Sequence, residues 1–428
     1  MSEWKIPVSM QKVINQVAEE LRGEDKLIQM FKKCYANTLN TTIRRHDDGT
    51  SHIITGDIPA MWLRDSAAQV RPYLTIAKED RDMADIIEGV VRRQFQYILI
   101  DPYANAFNEE SNGNKWDDDL TEMNDWLWER KYEIDSLCYP IQLAYLLWKT
   151  TGRTEFFDEN FKQAVGKILE VWEIEQDHEK NSKYRFQRVN CSPTDTLTNE
   201  GLGEPVKRTG MTWSGFRPSD DACKYGYLIP SNMFAVVVLG YLMEIAINIL
   251  NDDELAQKAE KLRNEISLGI NEYAVITHEK YGEIFAYETD GIGNYNLMDD
   301  ANVPSLLSLP YLGYCEPDNS IYVNTRKFLL SDENPYYYKG KVAEGIGSPH
   351  TPQNYIWHIS LAIQGLTAQS KEEKFRIIKI LEKTDAGTDM MHEGFHVDDP
   401  KEFTRPWFSW ANAMYCELVL DYCDLRIK

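Results

Sequence analysis

The 428-residue chain has no Cys-x-x-Cys pair, no uninterrupted apolar stretch of membrane-spanning length, and far fewer basic than acidic side chains. Each absence removes a class of function. The seven cysteines (Cys34, Cys138, Cys191, Cys223, Cys315, Cys416 and Cys423) are odd in number and dispersed, so their spacing builds neither a zinc ribbon nor a dithiol redox centre. Cys416 and Cys423, seven apart on one expected helix, are separated by about 10 Å of helix rise, beyond the reach of a disulfide. A reduced compartment is the simplest reading. The most apolar run, 233–250, is broken by Glu244 and Asn248 and reads as a buried helix rather than a membrane span. With 46 Lys and Arg against 68 Asp and Glu, the net charge of −22 repels nucleic acid and anionic membranes and leaves a neutral substrate as the better fit. The N-terminal Met1-Ser2-Glu3-Trp4-Lys5-Ile6-Pro7 lacks a basic region followed by an apolar core, so a cytoplasmic location is expected.

Low-complexity tracts, heptad runs and Gly/Ser linkers are also missing, which favours one domain over residues 1–428. No strand and helix alternation points to a doubly wound or TIM-type sheet. What is present is apolar spacing of helical period over 11–36, 66–77, 80–99, 133–151, 154–175, 231–249, 252–273, 302–311, 319–331, 352–368, 371–384 and 405–425. Within 133–151, Ile134, Leu137, Cys138, Ile141 and Ala144 share a face. Ser231 reads as the N-cap of the helix after it, and Asn251-Asp252-Asp253 as the turn into that helix's partner. Strand patterns are confined to a hairpin of 274–277 with 283–287, and to 184–189. The fold class expected is all-α: a dozen paired helices with polar, Gly- and Pro-rich insertions, the pattern of an (α/α)6 barrel with a few short β-hairpins in its loops.

Aromatic residues are abundant, with 11 Trp and 24 Tyr, which suits stacking on sugar rings although most such rings serve the core. The densest chemistry lies in Thr55-Gly56-Asp57-Ile58-Pro59-Ala60-Met61-Trp62-Leu63-Arg64-Asp65-Ser66. Carboxylates accept from sugar hydroxyls, a guanidinium donates to them, and an indole packs on the C–H face. Asp65 reads as the N-cap of the helix beginning at Ser66, and Asp57 as a support for Arg64; a surface ion pair beside a cap is the bland alternative. Other acidic loops are Asp117 to Asp125, Asp220-Asp221, and Glu393 with its histidines. His392-Glu393 with His396 lacks the register of a zinc-binding helix, so hydrogen bonding within a loop is the better reading. The run Asp117-Asp118-Asp119 also admits a Mg²⁺-dependent isoprenoid enzyme or a Ca²⁺ site, but neither a second acidic helix, nor phosphate-binding cations, nor a glycine-kinked ligand loop accompanies it.

These words, with Thr212-Trp213-Ser214-Gly215-Phe216-Arg217-Pro218-Ser219-Asp220-Asp221, Gly345-Ile346-Gly347-Ser348-Pro349-His350-Thr351-Pro352, Met391-His392-Glu393-Gly394-Phe395-His396 and Arg405-Pro406-Trp407-Phe408-Ser409-Trp410-Ala411-Asn412, occur in an order that resembles glycoside hydrolase family 125, the exo-acting α-1,6-mannosidases. The resemblance runs from residue 55 to 412. It implies an (α/α)6 barrel and a metal-independent, inverting exo-α-mannosidase without cofactor, whose partner is a mannose-containing oligosaccharide. Asp220 matches the general acid and Glu393 the general base, with Asp221 the nearest competitor for the acid; a neighbouring carboxylate would raise the pKa of Asp220 while Arg217 lowers it. Arg64 and Asp65 are assigned to the terminal sugar. Asp119, Glu122, Asn124, His350, Trp62 and Trp407 are the further sugar-contact candidates, with Trp213 and Trp410 as possible stacking platforms and core packing the default for each. Residue spacing does not distinguish mannose from glucose, so a glucoamylase-like inverting α-glycosidase stays open, as does a non-catalytic glycan-binding protein.

Overall fold

Among the described residues, 4–427, of the computed structural model, twelve helices of eight or more residues carry the architecture. They are α1 (Val8–Glu20), α2 (Asp25–Thr41), α3 (Leu63–Val70), α4 (Arg81–Ile100), α5 (Ile134–Thr151), α6 (Glu159–Glu175), α7 (Ile229–Ile245), α8 (Asp253–Tyr273), α9 (Ser320–Leu329), α10 (His358–Leu366), α11 (Lys371–Lys383) and α12 (Ser409–Tyr422). The leader reading at the N-terminus falls partly on residues 1–3, which lie outside the described residues.

Two kinds of helix follow from two kinds of sequence. α8 buries Leu255, Ala256, Ala259, Leu262, Ile266 and Ile270, one stripe at helical spacing, and Asp252 caps it by accepting from Leu255 N at 3.0 Å. Such a stripe suits an outer helix. Every residue of α3 and α10 is buried, and α5, α7 and α12 are buried almost all round, as helices enclosed by neighbours must be. The inner helices pack α3 on α5, α5 on α7, α7 on the short helix Leu309–Leu312, α10 on α12, and α12 back on α3. Tyr311 donates to Glu417 at 2.9 Å and ties that short helix to α12. The outer helices pair with them, α2 on α12, α4 on α5, α8 on α7 and α11 on α10. This is the (α/α)6 barrel expected from the sequence. Ile229–Leu250, by length and composition the only described helix able to cross a membrane, is one of its inner helices.

Small sheets aim the inner helices. Met61–Trp62 pairs with Ala106–Phe107, which pairs with Leu127–Glu129; Tyr227–Leu228 pairs with Glu288–Thr289; Tyr355–Trp357 pairs with Gly394–His396. Each first strand runs directly into α3, α7 or α10. The expected hairpin is present, with Val275 opposite Phe285.

Several boundaries differ from the sequence reading. The segment 11–36 is two helices, parted by a turn at Gly23 with φ +96°. Little of 302–311 is helical, because Asp299 draws the amides of Leu306 and Leu307 at 2.9 and 3.0 Å out of any helical ladder. Asp65 and Ser231 are not caps. α3 starts at Leu63 and α7 at Ile229, so each stands in the third helical position, where the preceding strand has already set the helix start. The 184–189 segment gives only Gln187–Arg188, paired with Asp119–Leu120 rather than with a hairpin partner.

Candidate active site

The inner helices begin at one end of the barrel, and there a small pocket is lined by Trp62, Arg64, Asp65, Ser219, Asp220, Asn302, His350, Trp357, Glu393, Arg405, Phe408 and Trp410. Helix N-termini and loops from distant parts of the chain therefore meet at a single depression.

Arg64 organises its floor. The guanidinium, buried at the start of α3, places Nη1 2.5 Å from Glu133 and 2.9 Å from Asp135, Nη2 3.6 Å from Asp220, and Nε 3.7 Å from Asp65. One cation faces four carboxyl groups. Burial raises the pKa of each floor carboxyl: Asp65 is pushed up to about 6 against the pull of Arg64 and Arg405, Asp135 is raised, and Glu133 is raised well above the carboxylate range.

Asp220 occupies a tight turn. Its φ of +70° is unusual for a non-glycine residue, and the turn is closed by Asp220 N to Arg217 O at 2.9 Å and Arg217 N to Asp221 O at 2.8 Å. Lys131 Nζ donates to its carbonyl at 2.6 Å, while Ser219 donates to Asp300 and Asn302 to the carbonyl of Pro218. The backbone is thus held from three sides, which keeps the Asp220 side chain turned toward the pocket. Withdrawal from water raises its pKa, but Lys131, Arg64 and His350 outweigh that and hold it below the usual value. The neighbouring carboxylate expected to raise it, Asp221, is instead turned to His350, with His350 Nδ1 at 3.6 Å. Burial lowers the His350 pKa, yet Asp221, Glu393 and Asp220 together push it up to about 9, so the imidazole is a cation at neutral pH.

In the same pocket, Glu393 stands just before the strand Gly394–His396, its carbonyl accepting from His358 N at 3.3 Å and its Oε1 3.7 Å from Arg405 Nη1. Asp57 pairs with Arg405 at 2.5 Å and so braces the Glu393 side, not Arg64 as the sequence suggested. The cause is the strap Thr55–Asp57. Asp57 N donates to Trp407 O at 3.2 Å and Ser409 N to Thr55 O at 3.0 Å, drawing the strap toward α12. Gly56, at φ +138°, makes this approach possible, since a Cβ there would lie 2.3 Å from Trp407 O. G56A is expected to cost about 2–4 kcal/mol through strain and overlap and to lower kcat/KM on any substrate of this pocket. Urea unfolding checks the first effect and steady-state kinetics the second; an unchanged midpoint would show that the strap is not under this constraint.

Of the sequence candidates, Asp220, Glu393, Arg64, Asp65, His350, Trp62 and Trp410 line this one pocket. Asp119, Glu122, Asn124 and Trp407 are not brought to its lining. Asp119 is held by Arg188 at 2.5 Å, which also binds Glu129 and Asp195; Glu122 and Asn124 are exposed, and Trp407 packs beside Gly56. Trp213 lies in the core against His178, with ring centroids 3.6 Å apart. His392 stacks on Phe403 and meets Thr388, and His396 accepts from Asp398 N, as loop-bracing histidines do. Among the described residues no three His, Cys, Asp or Glu side chains converge in an arrangement that could hold a metal ion. Glu133, Asp135, Asn302, Arg405 and Phe408 escaped the sequence reading. The alternation Lys131-Tyr132-Glu133-Ile134-Asp135, running into the first turn of an apolar helix, was the available signal for the first two.

Carboxyl groups gathered on one pocket at the end of an (α/α)6 barrel are what a glycoside hydrolase requires. The model of the metal-independent α-mannosidases, glycoside hydrolase family 125, matches residues 24–420, and the chain belongs to that family. A Streptococcus pneumoniae metal-independent α-mannosidase, solved in a non-productive complex with α-1,6-mannobiose, is 53% identical, with a TM-score of 0.96 over 98% of this chain and 99% of that one. The Meiotically up-regulated gene 157 protein of Schizosaccharomyces pombe is 41% identical over 98% of this chain and 86% of its own length. A bacterial glucoamylase shares the fold at 11% identity, with a TM-score of 0.64 over 98% of this chain and 58% of that one. The chain is an α-mannosidase.

Proposed function

We propose that this α-mannosidase is exo-acting and inverting, and that it removes non-reducing terminal α-1,6-linked mannose by single displacement, with Asp220 as general acid and Glu393 as general base. The observation that carries the reading is the pairing of Asp220 and Glu393 on one small pocket, in a chain 53% identical to a protein that binds α-1,6-mannobiose. Inversion requires a protonated carboxyl at the departing oxygen and a carboxylate that activates water on the opposite face. Glu393, held beside Arg405, is suited to the second task, and Asp220, presented by a rigid turn, to the first. Arg64 and Asp65 on the buried floor would hold the hydroxyls of the terminal sugar, with His350 at the wall, and a small pocket floored by buried residues favours chain ends. Trp410, over which Arg64 lies at 5.6 Å, and Trp62 supply the apolar walls. Seven free cysteines suit a reduced cytoplasmic compartment.

The test is ¹H NMR of the purified protein with α-1,6-mannobiose, followed from the first minutes. β-Mannose before mutarotation is the expected product. α-Mannose first would replace the base with a nucleophile, and turnover of α-glucosides in preference to mannosides would support the glucoamylase-like alternative.

A further inference from the structure

The assigned acid has a difficulty that its surroundings resolve. Asp220 must carry a proton to the departing oxygen, yet Lys131, Arg64 and His350 all favour its ionised form. Glu133, the residue that leads into α5, meets the same guanidinium: Arg64 Nη1 lies 2.5 Å from Glu133 Oε2 and Arg64 Nη2 3.6 Å from Asp220 Oδ1, which brings the two carboxyls together. The Oε2 atom of Glu133 is saturated, with Arg64 Nη1 at 2.5 Å and Ser136 Oγ donating at 2.7 Å. Its Oε1 is buried without a hydrogen-bond partner, and so is Asp220 Oδ1. Ionised together, the two carboxylates would divide one guanidinium, leave Glu133 Oε1 unsatisfied and repel one another; a single proton shared by the pair relieves all three.

We propose that Glu133 and Asp220 share one proton, which Glu133 holds between turnovers, so that Glu133 is the positioning residue that keeps the acid supplied. This rests on the reading of Asp220 as general acid. The groups facing Glu133 agree with it. Arg64 approaches from α3, Asp135 and Ser136 from its own helix, and Asp220 and the thiol of Cys223 from the loop before α7; among these the one cation, Arg64, is divided among four carboxyl groups, Asp65 included. Asp220 in turn faces Lys131, Arg64, His350 and Glu133. Burial raises the Glu133 pKa well above the carboxylate range while the cations lower that of Asp220, which places the shared proton on Glu133 at neutral pH. In the reaction, the C–O bond to the leaving group breaks as Asp220 gives its proton to that oxygen. Water adds to the anomeric carbon and loses its proton to Glu393. The pair is then one proton short and Glu393 one in excess, and exchange with solvent restores both.

The experiment compares the pH dependence of kcat and KM on α-1,6-mannobiose for the wild type, E133Q and E133D. In E133Q the amide keeps the contacts to Arg64 and Ser136 but cannot share a proton. The alkaline limb of kcat is expected to move at least about one pH unit toward acid, a tenfold or greater loss at pH 7.5 that lowering the pH recovers, with KM changed less than about threefold. E133D should move the limb back toward the wild type. A limb that does not move in E133Q, or a loss equal at all pH values, would overturn the proposal, since a purely structural role lowers the profile without shifting it. ¹³C NMR of carboxyl-labelled glutamate gives a second measurement that needs no turnover. One protonated Glu resonance at pH 7.5 should be present in the wild type, absent in E133Q, and titrate at lower pH in D220N, where the anionic neighbour is gone. No such resonance would sink the shared proton even if E133Q fails to fold. Should the wild type leave mannobiose intact, the mannosidic reading of the site falls while the resonance still decides the proton.

Discussion

D220N and E393Q are each expected to lower kcat on α-1,6-mannobiose by about 10²–10⁴-fold, the range lost when a positioned proton donor or acceptor is removed. Both replacements are close in shape, and neither side chain supports the core, so unfolding midpoints should stay near the wild type. The two losses differ in how they are rescued. An aryl α-mannoside with a leaving group that departs without a proton should recover much of the D220N rate, because the acid has nothing left to do. The same substrate should not rescue E393Q, whose missing step is activation of water. For E393A, added azide is expected to restore turnover and to yield β-mannosyl azide, since attack from the Glu393 side inverts the α-linkage. The double variant should lose little more than the worse single one, as groups acting in one transition state are not additive. Activity of D220N unchanged on mannobiose would transfer the acid role to Asp221, whose carboxylate here faces His350; activity unchanged in both variants would leave glycan binding without catalysis at this pocket.

Much of this site was legible before folding, and the portion that was not has a physical reason. Ordered words named Asp220, Glu393, Arg64, Asp65 and His350, and helical periodicity marked helices such as α6, α8 and α11, whose stripes alternate with solvent. Where α3, α7 and α10 begin was not legible, because two- and three-residue strands set those starts by pairing with distant segments. Trp357 lies opposite Gly394, for example, and Leu228 opposite Glu288. The acidic run 117–125 was misleading for a related reason. A carboxylate reads the same whether it faces a sugar or an arginine, and Asp119 is claimed by Arg188, 69 residues later in the chain. The role of Glu133 was hidden because it depends on what surrounds it: the same glutamate at an exposed helix start would simply favour the helix dipole.

Removing the cation from the floor should produce the largest change in stability. R64M leaves Asp65, Glu133, Asp135 and Asp220 without their shared guanidinium, and breaking a buried ionic cluster from one side costs about 3–5 kcal/mol. The size of that deficit should depend on pH, and its sign follows from the floor carboxyls. Asp65, at about 6 in the folded protein, and Asp135 and Glu133, both raised, bind protons in the folded state that the unfolded chain has released. A folded state holding more protons than the unfolded one loses stability as pH rises. For Asp65 that loss runs from its unfolded value near 4 up to about 6, and for Glu133 it continues higher. Without Arg64 all of these carboxyls shift further up, so the penalty at pH 8 grows while at pH 5 protonation relieves part of it. Urea unfolding of R64M and the wild type at pH 5, 6.5 and 8 should therefore show a gap that widens with pH. A gap that stays constant would mean that Arg64 acts on the fold through packing under Trp410 and not through the carboxyls it faces. R64K separates the two further, because a single ammonium restores one charge but cannot reach Glu133, Asp135 and Asp220 from one plane, and should recover less than half of the loss.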